Sequence, residues 1–204
     1  AVRRDGLPRH SAWVPVLTTP GEHPLAQLAA VTDMPAEDLA TDPAVLRGFV
    51  RRSVSKYDDA AVLLVIDQFE ETFTLCSDAH ERAAFIEALL SVVDSEGLPA
   101  RVVIGVRADF YAACAEFPEL VALLRDNQVL VGPMAQDDLR MAIVGPAEQA
   151  GLTVQPELVE TVLTDVTGEP GALPLVSHTM LETWRQRYGD ELTLAGYRAT
   201  GGVR

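Results

Sequence analysis

Three acidic side chains lie within five residues, directly after the most apolar run of the sequence. The run covers residues 61–66, and Asp67, Glu70 and Glu71, here termed the acidic segment, follow it. Six apolar residues without alternation are typical of a strand buried on both faces of a parallel sheet. Ligands of open α/β sheets bind at the carboxyl ends of such strands. Carboxylates crowded at a dry strand end repel one another, so the pattern favours a hard cation such as Mg²⁺ beside a nucleotide phosphate.

These residues predict a site for metal-assisted hydrolysis. Asp67 would hold the metal ion through water, and Glu70 or Glu71 would orient or polarise an attacking water. In the alternative interpretation, Glu70 and Glu71 only begin a helix, where the helix dipole favours acidic residues. Use of Asp67 as a phosphatase-like nucleophile is less favoured, because such enzymes need a second Asp two residues later and Phe69 stands there.

A basic residue ends the next apolar run along the chain. Arg107 follows residues 102–106, which again show no alternation. If the two strands are neighbours, its guanidinium lies at the same edge as Asp67 and could contact a γ-phosphate and report its loss. The alternative is an ion pair of Arg107 with Asp109 or with the acidic segment.

A turn at the start of the last long helical pattern is a further candidate binding element. Pro174 follows Gly171-Ala172-Leu173, and a rigid turn there could lay the proline ring against a flat base. Ordinary helix capping explains the same residues.

Composition and charge argue against several classes of protein. Sixteen Lys and Arg against thirty Asp and Glu give the 204-residue chain a formal net charge of −14, which disfavours nucleic-acid binding by this segment. No apolar run is long enough to cross a bilayer and no signal peptide is visible, so we predict a cytoplasmic protein that does not bind membranes. The two cysteines and four histidines form no metal-binding pattern.

Strands and helices alternate in the first two thirds of the chain and predict an α/β fold with a parallel sheet. The predicted elements are an edge strand at 13–17, helices from Pro24 and Thr41, strands at 61–66 and 102–106, a crossover helix between a capping box at Asp78 and Gly97, and a short strand at 129–131.

The last third shows helical spacing only, and no strand is visible there. A boundary near Pro133 divides the chain into an α/β core, residues 1–133, and an all-helical subdomain, residues 134–204.

The ordered set of these motifs resembles the novel STAND NTPase domain. That domain occurs in large bacterial signalling proteins, commonly ahead of WD-repeat β-propellers. The resemblance covers nearly the whole chain, and the matching segments are WVPVL (13–17), PGEHPL (20–25), LVIDQFEETF (64–73), RADFY (107–111), VGPM (131–134) and GALPL (171–175).

The resemblance implies a P-loop ATPase of the AAA+-like branch, related to NACHT proteins, with ATP and Mg²⁺ as cofactors. It also implies protein partners or self-association as the output, and a C-terminal helical lid. The implied roles are Asp67 as the Walker B residue, Glu70 and Glu71 as the acidic pair, Arg107 as sensor 1 and Pro174 as the nucleotide-contacting proline of the lid.

One motif of that family does not occur in the sequence. There is no GxxxxGK[ST], and Lys56, the only lysine, lies in no glycine-rich loop. In the family this loop precedes the first segment seen here, so we expect the chain to be the downstream part of a longer protein. The P-loop strand would then be missing from the sheet, between the strand before Arg107 and the strand at 129–131. Such a piece is expected to be inactive alone and prone to aggregate through unpaired strand edges.

Two functions remain open at this point. The first is an ATP-driven signalling switch, and the second is a non-catalytic scaffold on the same fold that presents partner-binding helices.

Overall fold

The three strands of the main sheet are parallel and lie side by side in chain order. The structure is a computed structural model that describes residues 10, 12–166, 173–187 and 189–203. Strand β1 (Ala12–Thr18) pairs with β2 (Ala60–Ile66), and β2 pairs with β3 (Ala100–Ile104). The predicted α/β fold with a parallel sheet is therefore confirmed.

The ends and order of the strands follow from a few residues. In the described chain β1 lies at an edge of the sheet, as predicted from Pro15, which has no N–H to donate. β3 ends at Ile104, two residues earlier than predicted. Its partner β2 turns away at Gln68, whose φ is +52°, so in the described chain the pairing of the two strands ends with the bonds of Gly105 to Ile66 and Phe69.

Helices connect the strands. The first connection contains α1 (Pro24–Thr32), α2 (Ala36–Thr41), a 3₁₀ turn (Pro43–Val45) and α3 (Leu46–Val54), and the second contains α4 (Glu71–Thr74) and α5 (Ala79–Val93). The helices predicted from Pro24 and after Asp78 are confirmed as α1 and α5. The helix predicted from Thr41 begins as the 3₁₀ turn, in which the side chain of Asp42 accepts from the N–H of Ala44.

These helices form one core with a single face of the sheet. That face carries Val16 and Leu64, which are buried against them. On the opposite face the register aligns Leu17, Val65 and Val103 across the sheet, and Leu17 and Val103 are 64% and 45% exposed. The central strand itself is buried on the helix-covered face and half-buried at Leu63 and Val65 on the other, so the prediction of burial on both faces is confirmed only in part. Right-handed crossovers between strands in sequential order place every connecting helix on the same face.

The chain after β3 runs through a 3₁₀ turn (Ala108–Phe110), α6 (Tyr111–Cys114) and α7 (Pro118–Asp126). The prediction of a short strand at 129–131 is wrong: within the described chain these residues pair with no strand. Leu130 and Val131 are 80% and 88% exposed. Three apolar residues form a strand only where a neighbouring strand shares their backbone hydrogen bonds.

The chain divides into two compact units, Ala1–Val129 and Leu130–Arg204. The second contains α8 (Gln136–Gln149), β4 (Thr153–Val154), α9 (Pro156–Val166), α10 (Leu173–Arg185), β5 (Glu191–Leu192) and α11 (Leu194–Ala199). Because β4 and β5 form a parallel pair, the prediction of an all-helical subdomain is wrong in this detail. Strands of two residues are too short to produce a readable pattern.

The core of the second unit surrounds Tyr197, which is 2% exposed. Its hydroxyl donates to Oδ2 of Asp165 at 2.8 Å and accepts from the N–H of Val203 at 3.1 Å. This tyrosine therefore joins α11 to α9 and to the residues that follow α11.

Among the helices of the described ranges, none is both long and apolar enough to cross a membrane. The longest of them, α5, has 15 residues, whereas a membrane span needs about 20.

Candidate functional site

Three loops follow the three parallel strands and are hydrogen-bonded to one another at the carboxyl edge of the sheet. The N–H of Asp67 donates to the carbonyl of Thr18 at 2.9 Å, and the N–H of Phe69 donates to the carbonyl of Gly105 at 2.8 Å. The loop after β2 is thus bonded on one side to the end of β1 and on the other to the residue after β3. Asp67 lies at the middle of the edge where α/β folds bind ligands.

Asp67 is exposed at the end of the central strand. Its Oδ1 accepts a hydrogen bond from the N–H of Gln68 at 2.9 Å. Gln68 has a left-handed backbone, a conformation that costs a non-glycine residue about 1–3 kcal/mol. The bond to Asp67 and the loop bonds of its neighbours hold this conformation. Such strain is concentrated at functional sites. The conformation of Gln68 therefore supports this edge of the sheet as a candidate functional site.

Gly105 leaves room for the carboxylate of Asp67. A Cβ on Gly105 would lie 3.3 Å from Oδ1 of Asp67, tighter than nine in ten real contacts of a Cβ atom. A side chain at position 105 would therefore press against the carboxylate and displace it.

Glu70 and Glu71 each contact the loop of a flanking strand. Oε2 of Glu70 accepts from the N–H of Arg107 at 3.4 Å, and Oε2 of Glu71 accepts from the N–H of Gly21 at 3.1 Å. Glu70 and Glu71 also begin α4, which is only four residues long. For their backbone, the alternative interpretation that these residues start a helix is therefore correct. Their side chains do more than begin a helix, because they join the three loops.

The guanidinium of Arg107 turns towards its own loop. Nη2 donates to Oδ2 of Asp109 at 2.6 Å, and the group lies 5.9 Å from the ring centroid of Phe110. The N–H of Asp109 itself, and next the guanidinium, hold the pKa of Asp109 below its ordinary value. The structure thus brings the backbone of Arg107 to the acidic segment, while its side chain forms the ion pair with Asp109 that the sequence left as an alternative.

Pro174 is the second residue of α10 and is exposed. It belongs to the second compact unit. The Gly171 and Ala172 of its predicted turn lie outside the described residues.

The predicted capping box at the start of α5 is half formed. The side chain of Asp78 accepts from the N–H groups of His80 and Glu81, and these bonds lower the pKa of Asp78. The carboxylate of Glu81 does not return to Asp78. Its Oε1 accepts from the N–H of Leu25 at 3.2 Å, and its Oε2 lies 3.3 Å from Nδ1 of His23. Glu81 therefore caps α1, a different helix.

Sequence reasoning missed Arg82, which contacts the segment after Glu71. Nε donates to the carbonyl of Thr72 at 3.1 Å, and Nη2 donates to the carbonyl of Cys76 at 2.8 Å. One signal was available in the sequence. Arg82 lies in the first turn of a predicted helix, where the helix dipole disfavours a cation, and a residue placed there against the dipole is expected to have a specific partner.

A parallel sheet with helices packed on one face and a carboxylate at the end of its central strand is typical of α/β proteins that bind ligands at the carboxyl edge of the sheet. The family model for Novel STAND NTPase 1 matches residues 2–204. The chain belongs to this family, which confirms the resemblance found in the sequence and indicates a nucleotide-binding role in signalling. No curated protein matches the chain.

Proposed function

We propose that this chain carries the metal-binding and water-orienting part of the nucleotide site of a STAND-type signalling ATPase. In this proposal a nucleotide-dependent change of conformation controls assembly or partner binding. The observation that carries the proposal is the acidic segment, because Asp67 ends the central strand while Glu70 and Glu71 bind the loops on either side.

The residues at this edge fit a magnesium ion that is coordinated mainly by water molecules and by phosphate oxygens of the nucleotide. In nucleotide sites Mg²⁺ is held by one or two carboxylates together with phosphate oxygens and waters. Asp67 supplies one such carboxylate, and Gly105 leaves the space that a Cβ would fill. In the part of the chain that the structure describes, no three His, Cys, Asp or Glu side chains group to hold a metal by themselves. When bound, the ion neutralises charge on the phosphates.

The remaining roles follow from the positions of the side chains. Glu70 and Glu71 are the candidates for orienting the attacking water, since both are at the same strand end as Asp67. Arg107 would contact the γ-phosphate after leaving Asp109. That exchange is inexpensive because both partners of the pair are more than half exposed, and exposed ion pairs contribute about 0–1 kcal/mol. Pro174 would contact the base of ATP from the helical lid, residues 134–204.

The proposed output is a protein–protein interaction. Family membership supports self-association or binding of protein partners, and a WD-repeat propeller would be one such partner. The partner would respond to the lid, whose position depends on the nucleotide.

One observation favours a second function, a scaffold that does not hydrolyse nucleotide. Glu70, Glu71 and Arg107 all have protein partners in this structure. If these contacts persist in the presence of nucleotide, the same residues only stabilise the loops.

Two substitutions separate these functions in a chain that also carries the phosphate-binding loop. We expect Asp67→Ala to lower Mg²⁺-dependent phosphate release at least about hundredfold, since metal stabilisation of the transition state contributes several kcal/mol. We expect Glu71→Gln to stop turnover while nucleotide affinity, measured with a fluorescent analogue, stays unchanged. Glu87→Gln, which changes an exposed acid on α5, is the control. Unchanged turnover in both site variants would refute the assignment, and nucleotide binding without turnover in the wild type would support the scaffold.

A further inference from the structure

Arg82 makes a bidentate contact with the segment that follows the acidic residues. Its Nε and Nη2 donate to the carbonyls of Thr72 and Cys76, and the guanidinium is partly buried. A charged donor forms stronger hydrogen bonds than a neutral one. The two N–H donors bind carbonyls four residues apart. They therefore fix both the position and the direction of the backbone between these carbonyls.

The backbone that Arg82 holds is the helical turn α4. A four-residue helix is not stable by itself, because nucleation costs more than one turn of hydrogen bonds returns. α4 is therefore held from outside. Thr72 is fully buried, and the neighbouring Phe69 packs against Phe73 and Phe85. Arg82 donates to the carbonyls of Thr72 and Cys76. Glu71, the first residue of α4, accepts from the N–H of Gly21.

We propose that Arg82 is a positioning residue for Glu70 and Glu71. It acts through α4, whose direction determines where the two carboxylates lie relative to Asp67 and to the loop after β1. The functional consequence rests on the proposed function above, but the geometric claim does not. If Arg82 is lost, α4 moves more freely, and the bond between Glu71 and the N–H of Gly21 opens more often.

The exchange rate of the Gly21 amide reports this bond in the 204-residue chain without nucleotide. Hydrogen exchange is measured at low protein concentration, where self-association is suppressed, by mass spectrometry with single-residue resolution for Gly21 and for Val62, whose N–H donates to the carbonyl of Pro99 in the sheet. A purely structural role would accelerate both amides together, since global opening exposes both. We expect Arg82→Ala to raise the Gly21 to Val62 ratio at least about tenfold, because two charged hydrogen bonds are removed. Glu71→Ala removes the acceptor itself and should raise the ratio at least as much.

Arg51→Ala removes an exposed arginine from α3 and should leave the ratio unchanged. A wild-type ratio in folded Arg82→Ala would overturn the proposal. If the alanine variant does not fold, Arg82→Gln, which keeps one amide donor, replaces it. We expect at least about a threefold rise there, and an unchanged ratio counts equally against the proposal.

A second measurement keeps this inference distinct from the proposed function. In a chain with the phosphate-binding loop, Arg82→Ala should lower kcat for Mg²⁺-dependent hydrolysis and leave nucleotide affinity unchanged. If the wild type shows no hydrolysis, the proposed function fails, while the exchange ratio still decides whether Arg82 positions the acidic pair.

Discussion

The three carboxylates of the acidic segment have different partners although they lie within five residues. Asp67 accepts from the next residue, Glu70 from the loop after β3, and Glu71 from the loop after β1. Each partner is a backbone N–H, whose partial positive charge offsets part of the repulsion between the carboxylates. Three like charges can therefore share one sheet edge, where each also fixes a piece of backbone.

A fourth carboxylate, Asp78, makes the start of α5 sensitive to acid. The N–H groups of His80 and Glu81 lower its pKa in the folded protein. A carboxyl group of this kind adds stability above its unfolded pKa and loses that contribution as the pH falls through its folded pKa. We expect Asp78→Ala to lower Tm at pH 7 by roughly 2–4 °C, and the difference from wild type to shrink below about pH 4.

Thermal melts between about pH 2 and 7, a range that extends well below the ordinary Asp pKa of about 3.9, test this. Asp78→Asn keeps an N-cap acceptor that does not titrate, so it should stay close to wild type at pH 7 and lack the acid-dependent loss. A difference between wild type and Asp78→Ala that is constant with pH would contradict the assignment.

Sequence patterns located the acidic segment but not the partners of its side chains. The positions followed from an apolar run that stops at Asp67. The partners Gly21 and Arg107 are 50 and 37 residues away from the glutamates that contact them, and spacing along the chain carries no information on such contacts. The ion pair between Arg107 and Asp109 was foreseen as an alternative because both residues lie on one short loop.

At the scale of elements, α1 depends on a cap from another helix. His23 at its N-cap position makes no side-chain capping bond, and the carboxylate of Glu81 accepts from the N–H of Leu25 instead. We expect Glu81→Ala to lower the free energy of unfolding by about 1 kcal/mol, the usual cost of losing an N-cap. Glu81→Gln retains an acceptor and should lose less.

Urea denaturation gives the difference in free energy for each variant. Glu87→Ala, at an exposed position of the same helix, is the matched control and should change stability by no more than about 0.5 kcal/mol. Equal losses for Glu81→Ala and Glu87→Ala would show that the bond to Leu25 contributes nothing.

Long elements with strong periodicity were predicted well, and short ones were not. The central strand and α5 have enough residues for their apolar patterns to be read. The pair β4–β5 has two residues in each strand, and no pattern exists at that length. For the segment 129–131 the sequence predicts a strand that the described chain does not form. An apolar run satisfies the pattern of a strand whether or not a neighbouring strand pairs with it.

At the scale of the whole molecule, the main sheet has one apolar face that the described helices of its own compact unit do not cover. Parallel sheets are normally covered on both faces. Leu17, Val65 and Val103 form a row across the other face, and contiguous exposed apolar residues mark either an interaction surface or an aggregation risk. The sequence predicts burial of the central strand on both faces because apolar side chains occur at every position from 61 to 66. Such a strand is typical of a sheet with both faces covered.

This face predicts how the 204-residue chain behaves alone. We expect concentration-dependent self-association through the row Leu17–Val65–Val103. The variant Leu17→Lys/Val103→Lys places two charges on the row and should lower the apparent mass by light scattering towards that of a monomer. Both side chains are already 45% or more exposed, so the change in stability should stay within about 0.5 kcal/mol for each. Leu181→Lys, 44% exposed on α10, is the matched control and should not alter association. A wild-type chain that remains a monodisperse monomer at high concentration would contradict this prediction, because an uncovered apolar row would then cause no association.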